Sequence, residues 1–246
     1  MNKWFIAIKE LGKDVFDISN LEEIKTSDAI YYADPFLLDG FLFFEDYDHK
    51  KGVISCMNLE TKEVTKIIEE DWHLSFPCVF KSDGKYYMIP EAGNSGNIWL
   101  YEAVQFPFTW TKHVIVPMGR DYADPIYYFK GGYHYLFFTS GGDNNLEVYR
   151  SHSVDSGWER FYRNQSMNSR CAGHIFTHEG KLIRPVQNCE GIYGGGIIFK
   201  EISFTDASVE EKEIKRINPD WRGDLIGTHT FNFDGKYLVL DGKITL

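Results

Sequence analysis

Nothing in this chain reads as a membrane span, a secretion leader or a disulfide framework. The apolar run at its start, Trp4–Ile8, is ended by Lys9 and is too short for a signal-peptide core or a membrane helix. The 4 cysteines (Cys56, Cys78, Cys171, Cys189) show no CxxC spacing and none of the density of a disulfide-stapled scaffold. A reduced, cytoplasmic setting is expected from that usage. Excess basic charge is also lacking. With 26 Lys+Arg against 36 Asp+Glu the net charge is −10, which excludes an electrostatic grip on nucleic acid or an anionic membrane. No His/Cys group has zinc-ligand spacing. Helical patterning is nearly missing too: Asp206–Arg216 is the one stretch that reads as a helical or disordered surface insertion.

What is present is repetition. A hairpin-like motif recurs five times: ADPFLLDGFLFFED (Ala33–Asp46), FPCVFKSDGKYYMIPE (Phe76–Glu91), ADPIYYFKGGYHYLFFTS (Ala123–Ser140), AGHIFTHEGKLIRPVQ (Ala172–Gln187) and THTFNFDGKYLVLDG (Thr228–Gly242). Each copy is an apolar run, a Gly turn and a second apolar or aromatic run. With Pro35, Pro77, Pro125, Gly173 and His229 as equivalent points, the spacings are 42, 48, 48 and 56 residues. A period of roughly 40–50 residues with β patterning means propeller blades. The expected fold is all-β: one five-bladed β-propeller domain over residues 1–246, with four-stranded antiparallel blades.

Outer strands are expected at Gly52–Met57 with Val64–Ile68, at Ile98–Glu102 with His113–Pro117, at Leu146–Ser151 and at Gly195–Ile202. The fifth blade runs short of sequence, so Trp4–Lys9 and Val15–Ile18 are expected to complete it and close the ring.

Hairpin geometry then places the chemistry. Residues equidistant from a turn face each other. Asp34 is therefore expected opposite Glu45, Phe76 opposite Glu91, Asp124 opposite Thr139, Ala172 opposite Gln187 and Thr228 opposite Asp241. All ten lie on one face of the disc, around the axis, with Arg170, His174, Arg184 and His229 close by. Carboxylates crowded into a concave site spread their pKa values and can serve as acid and base. Glycoside cleavage needs two of them flanking the scissile bond. Tyr32, Tyr122 and Trp72 are candidate sugar-stacking rings, and Arg170, Arg184 and His229 candidate holders of an anionic group.

Plainer readings stand beside these. Asp-Pro at a strand start often only organises a turn, Glu91 can be a satisfied acceptor, and Arg184 with Gln187 can simply neutralise an acidic ring. His73 and Ser75 in HLSFP lack an Asp partner for a triad. YGGGI (Tyr193–Ile197) has no helix after it, so its glycines read as loop or packing residues rather than a phosphate cradle. A calcium ion in the acidic channel is compatible with this composition; no other cofactor is implied.

The segments ADPF, HLSFPCVF, YYMIPE, LYEAVQFPFTW, RCAGHIF, RPVQNCEGIYG and the closing HT…DG resemble, in order, the N-terminal propeller domain of plant glucosamine inositolphosphorylceramide transferase and its bacterial relatives. The resemblance covers nearly the whole chain. It implies surface-polysaccharide synthesis or modification, a carbohydrate or sugar-containing small molecule as ligand, and other polysaccharide-biosynthesis enzymes as partners. The plant protein carries a separate glycosyltransferase domain after its propeller, and no counterpart of it is expected within these residues. More distantly the pattern is similar to arabinanase, xylosidase and invertase propellers. That likeness implies a catalytic base at Asp34 and an orienting role for Asp124. The acid position in blade four holds Cys171-Ala172, so Glu91 is the candidate acid. The expected activity is cleavage or transfer of a glycosyl unit, with Glu45, Arg170, His174, Arg184, Gln187, His229 and Asp241 contacting substrate. The alternative is a carbohydrate-binding or partner-docking propeller without chemistry.

Overall fold

The Gly turns do what their sequences dictate. Asp39-Gly40, Asp83-Gly84, Gly131-Gly132 and Glu179-Gly180 all have positive φ at both positions. That is the turn whose twist matches paired antiparallel strands. The computed structural model describes residues 2–25, 30–48, 50–140, 145–165 and 168–245.

The chain opens with β1 (Asn2–Glu10) and the two-residue β2 (Glu22–Glu23), which belong to the last blade. Blade one is β3 (Tyr31–Leu38), β4 (Phe41–Tyr47), β5 (Gly52–Asn58) and β6 (Val64–Ile68). Blade two is β7 (Ser75–Ser82), β8 (Lys85–Glu91), β9 (Asn97–Gln105) and β10 (Thr109–Pro117). Blade three is β11 (Tyr122–Lys130), β12 (Tyr133–Ser140), β13 (Asn145–Ser151) and β14 (Glu159–Gln165). Blade four is β15 (Phe176–His178), β16 (Lys181–Gln187), β17 (Ile197–Phe204) and β18 (Val209–Ile217). In blade five the innermost position is shared by β19 (Leu225–Gly227) and β20 (Phe231–Phe233), followed outward by β21 (Tyr237–Thr245), β1 and β2. The fold is a five-bladed β-propeller. Among the described residues no helix is long and apolar enough to cross a membrane.

Ring closure follows the expectation for β1. It pairs with β21 from Asn2↔Thr245 to Glu10↔Tyr237 and buries Phe5, Ile6 and Ala7. Each large apolar side chain taken from water there contributes roughly 1.5–3 kcal/mol. Val15–Ile18 forms no strand. Phe16, Ile18 and Leu21 instead pack against the apolar cluster of blades four and five, and Glu22–Glu23 supplies the outer strand. Asp206–Arg216 is also corrected: Val209–Ile217 is a strand paired along β17. Only its ends, Val209 and Ile217, are buried, and the residues between them, mostly charged, largely face water, as suits the outermost strand of a blade.

One local feature recurs and decides where the site lies. The innermost strands are broken near the same end of the axis by bulges, between Ala33 and Phe36, Ser75 and Cys78, and Ala123 and Ile126. Asp34, Phe76 and Asp124 each sit in the bulge with φ of 54°, 47° and 51°. The following proline has no N–H to give to a ladder, so an interrupted register suits it. The bulge shifts pairing by one residue from the simple hairpin count. Ala33, Ser75 and Ala123 face Glu45, Glu91 and Thr139, while the bulged residue turns to the axis. In blade four the bridge is Cys171↔Val186, so Ala172 does not face Gln187. In blade five the Asp241 N–H donates to the Thr230 carbonyl at 3.3 Å, so Thr230 and not Thr228 stands opposite Asp241; Thr228 reaches the Asp241 carbonyl only through its hydroxyl, at 2.6 Å.

Candidate active site

The bulges leave backbone N–H groups pointing at the axis, and carboxylates accept them. Asp241 receives the N–H groups of His229 (2.8 Å), Thr230 (3.0 Å) and Asp34 (3.3 Å). Asp34 in turn receives the N–H of Phe76 at 3.2 Å, and Glu91 that of Asp124 at 3.0 Å. Each acid from blades five, one and two thus reaches the bulge of the next blade. Such contacts fix the carboxyl groups in place.

Asp124 and Asp241 are the two of the five carboxyl groups that a basic side chain touches most closely. Arg170 donates from Nε to Asp124 Oδ2 at 2.5 Å and lies 3.7 Å from Glu91. His229 Nδ1 lies 2.5 Å from Asp241 Oδ2, with Nε2 3.8 Å from Asp34 Oδ1. Burial disfavours the imidazolium, but Asp241 and Asp34 outweigh it and raise the His229 pKa. Trp4 of the closing strand stacks on the His229 ring at 3.9 Å, and Tyr193 meets that ring edge-on.

The other three carboxyls hold protons more tightly than usual. Burial is the main cause for each. Asp34 rises to about 6, with His229 opposing the shift and Asp241 and Asp124 adding to it. Glu91 rises to about 8, pushed further by Asp124 and restrained by Arg170. Glu45 rises well above its ordinary value because, after burial, its neighbours Asp34, Glu91, Asp241 and Asp46 are all acids. Its Oε1 lacks a hydrogen-bond partner; His73 Nε2 is 3.3 Å away but poorly aligned. The Gly52 N–H donates to His73 Nδ1 at 2.8 Å, so the proton of the neutral ring sits on Nε2, facing Glu45. Only glycine fits at 52, where a Cβ would lie 2.3 Å from the Leu74 carbonyl and 2.7 Å from Glu45 Oε1.

At neutral pH the site therefore combines protonated carboxyls with ionised ones, the partition that acid–base chemistry uses. Asp34, Asp124 and Asp241 lie on the floor, almost fully buried, while Glu91 and Arg170 keep about a fifth of their side chains exposed at the mouth. The ligand atoms of Asp34, His229 and Asp241 fall within 4.8 Å of one another, the group best placed to hold a cation. Those atoms are engaged with the imidazole and backbone donors described above, and two carboxylates supply fewer oxygens than calcium ordinarily takes.

Not every residue expected at the site lies there. Tyr32 is buried in the core of blades five and one, its ring 4.4 Å from Phe44. Trp72 stacks on Trp99 at 5.6 Å beneath Lys112, beside the outer strands. Tyr122 is buried, donating to the Pro90 carbonyl and accepting the Ala92 N–H, so it braces the segment carrying Glu91. Arg184 is fully buried in blade four against Glu211 and the Ser169 carbonyl. Gln187 is buried as well and donates to the Cys171 carbonyl. His174 meets the Phe36 ring edge-on at 5.0 Å, and burial lowers its pKa to about 4. An internal strand alternates faces with every residue, so a one-residue bulge is enough to send Tyr32 and Tyr122 into the core. Trp4, Tyr31, Tyr47, His73 and Tyr193 are the rim residues that the repeat logic missed. HLSFP and YGGGI were the signals for two of them.

The five-bladed ring is a fold shared with solved glycoside hydrolases. The chain superposes on a point mutant of the GH32 beta-fructofuranosidase of Bombyx mori, in complex with sucrose, with a TM-score of 0.60 at 16% identity, over 85% of this chain and 54% of that one. It superposes on an endo-1,4-beta-xylanase from Bacteroides thetaiotaomicron with a TM-score of 0.57 at 12% identity, over 82% and 84%. At those identities the likeness is one of fold. Residues 15–233 match the family described as glucosamine inositolphosphorylceramide transferase 1, N-terminal, and the chain belongs to that family. It is 31% identical to the transferase of Oryza sativa subsp. japonica over 224 residues, covering 78% of this chain and 30% of that protein. The Arabidopsis thaliana transferase gives 31% over 208 residues, covering 74% and 26%. The chain thus spans less than a third of the length of these relatives.

Proposed function

We propose that this propeller is glycan-active and cleaves or transfers a glycosyl unit at its axial carboxyl site, in the synthesis or modification of surface polysaccharide. The arrangement that carries the reading is Glu91 at the mouth, about a fifth exposed, with the buried Asp34 on the floor, and burial raising the pKa of both, that of Glu91 further. Glu91 is the general acid, giving its proton to the leaving-group oxygen. Asp34 is the base that draws a proton from the incoming water or hydroxyl. Asp124, held by Arg170, orients Glu91 through its own N–H. Family membership and the fold shared with sugar-cleaving propellers support the choice of substrate class. The setting is cytoplasmic, and enzymes of the same biosynthesis are the expected partners.

General-acid catalysis predicts a dependence on the leaving group. Glu91→Gln should cut turnover of an alkyl glycoside by about 10²-fold or more, and that of a nitrophenyl glycoside far less. Equal losses on both would remove Glu91 from the acid's role.

A second reading has its own support. Every axial carboxylate save Glu45 also anchors a bulge or an ion pair, and Cys171-Ala172 leaves blade four without an acid. A propeller using these acids as fasteners would bind sugars without turning them over.

A further inference from the structure

Beside Glu91, away from the axial floor, lies a cavity of about 330 Å³ that the acid–base account does not use. Its wall is formed by His73, Glu91, Asn94 and Asp121 with the backbone of Gly93 and Ala123. Gly93 is there of necessity: a Cβ would lie 2.4 Å from the Tyr122 carbonyl. That close approach fixes the short turn Gly93–Ser95 against blade three and sets the cavity's width. The volume is at the lower end of small-ligand sites, enough for one ring but not an extended chain.

The lining is polar and carries no positive charge. The His73 ring is neutral, because burial lowers its pKa and its Nδ1 is taken by the Gly52 N–H. Asp121 is exposed at the edge, Glu91 closes the inner side, and the acidic Glu45 lies behind His73. An anion would meet the Asp121 carboxyl and no basic side chain in the lining, since Arg170, 3.7 Å from Glu91, is already held by Asp124. A neutral ring bearing hydroxyls would find an amide in Asn94 and the carboxyl groups of Asp121 and Glu91, with the His73 ring as a wall.

We infer that this cavity is the subsite for the leaving or accepting sugar ring, a neutral hydroxyl-bearing unit on the far side of Glu91 from Asp34. The inference rests on the proposed role of Glu91, since the ring that a general acid serves must lie against it. His73, Asn94 and Asp121 are then specificity residues for that ring. Inorganic phosphate is not expected to compete for it.

The test compares a panel of methyl glycosides with the matching disaccharides on the purified chain, by calorimetry and saturation-transfer NMR. Wild type should bind at least one disaccharide about tenfold or more tightly than either of its single rings, with inorganic phosphate failing to compete. Asn94→Trp fills the cavity from an exposed turn, and the disaccharide-to-monosaccharide affinity ratio should collapse toward one. Asp121→Asn is a second, milder variant and should reduce the ratio without loss of melting temperature. If single rings bind but disaccharides gain nothing, or phosphate competes, the subsite is refuted while the axial site stands. If no sugar binds at all, both fall.

Discussion

The Arg170–Asp124 pair offers the sharpest quantitative test of how the axial site is held. Asp124 is 2% exposed and Arg170 donates to it at 2.5 Å. Arg170→Met removes the cation and leaves the carboxylate buried beside Glu91. Stripping one partner from a fully buried pair costs about 3–5 kcal/mol. The Arg170 side chain keeps 23% of its surface exposed, so water entering its place offsets some of that, leaving about 2–4 kcal/mol. For a chain of this size roughly 2–4 °C of melting temperature goes with each kcal/mol. The expected fall at pH 7 is therefore about 5–15 °C by scanning calorimetry. Asp124→Asn in the Arg170→Met background should recover most of it, because the uncompensated charge is gone. A cycle of the two single variants and the double should show coupling of at least about 1 kcal/mol. A single variant melting within about 2 °C of wild type would mean that Asp124 does not depend on Arg170, and the electrostatic account of the floor would be wrong.

Titration gives a second prediction. Glu91, Asp34 and His229 all bind protons more tightly in the folded than in the unfolded chain. Their stabilisation is complete at low pH and is lost as pH rises through the folded values, for Glu91 between about 4.5 and 8. The melting temperature should fall across that window, and Glu91→Gln should melt above wild type at pH 8 but not at pH 5. Ring closure supplies a third prediction. Deletion through Glu10 removes the whole β1–β21 ladder and should lower thermal stability of all blades together by more than about 10 °C, instead of trimming a tail. A fourth concerns Gly52→Ala, whose Cβ cannot fit against the Leu74 carbonyl. It should cost about 1–3 kcal/mol in chemical denaturation and displace His73 from Glu45, visible as a shifted imidazole resonance.

Much of this architecture can be read from the residues. Paired positive-φ turns such as Asp39-Gly40 and Asp83-Gly84 announce their hairpins, and the repeat period announces the blades. The return of β1 to the last blade, paired along β21, matches the expectation for Trp4–Lys9. The gathering of Asp34, Glu45, Glu91, Asp124 and Asp241 at one end of the axis also follows from counting outward from the turns. Finer placement does not, because counting assumes an unbroken ladder. The bulges at Asp34 and Asp124 turn those acids to the axis and the tyrosines before them into the core. Arg184 escaped the count for another reason: its partner Glu211 lies on β18, in a segment whose charge density resembled a helix or a loose insertion. Tyr193 comes from the β16–β17 connection inside blade four and His73 from the connection between blades one and two, where no repeat constrains position. Their contacts to His229 and to Gly52 and Glu45 are tertiary and leave no periodic trace.

Time-resolved NMR of the purified chain with a panel of glycans and nucleotide sugars, with and without inorganic phosphate, addresses the central claim most directly. Wild type and Asp34→Asn run in parallel. New anomeric signals are predicted in the wild type and none in the variant, with both proteins melting at similar temperatures. Their coupling constants would report inversion or retention. Line broadening without product in both proteins would contradict catalysis and leave a sugar-binding propeller.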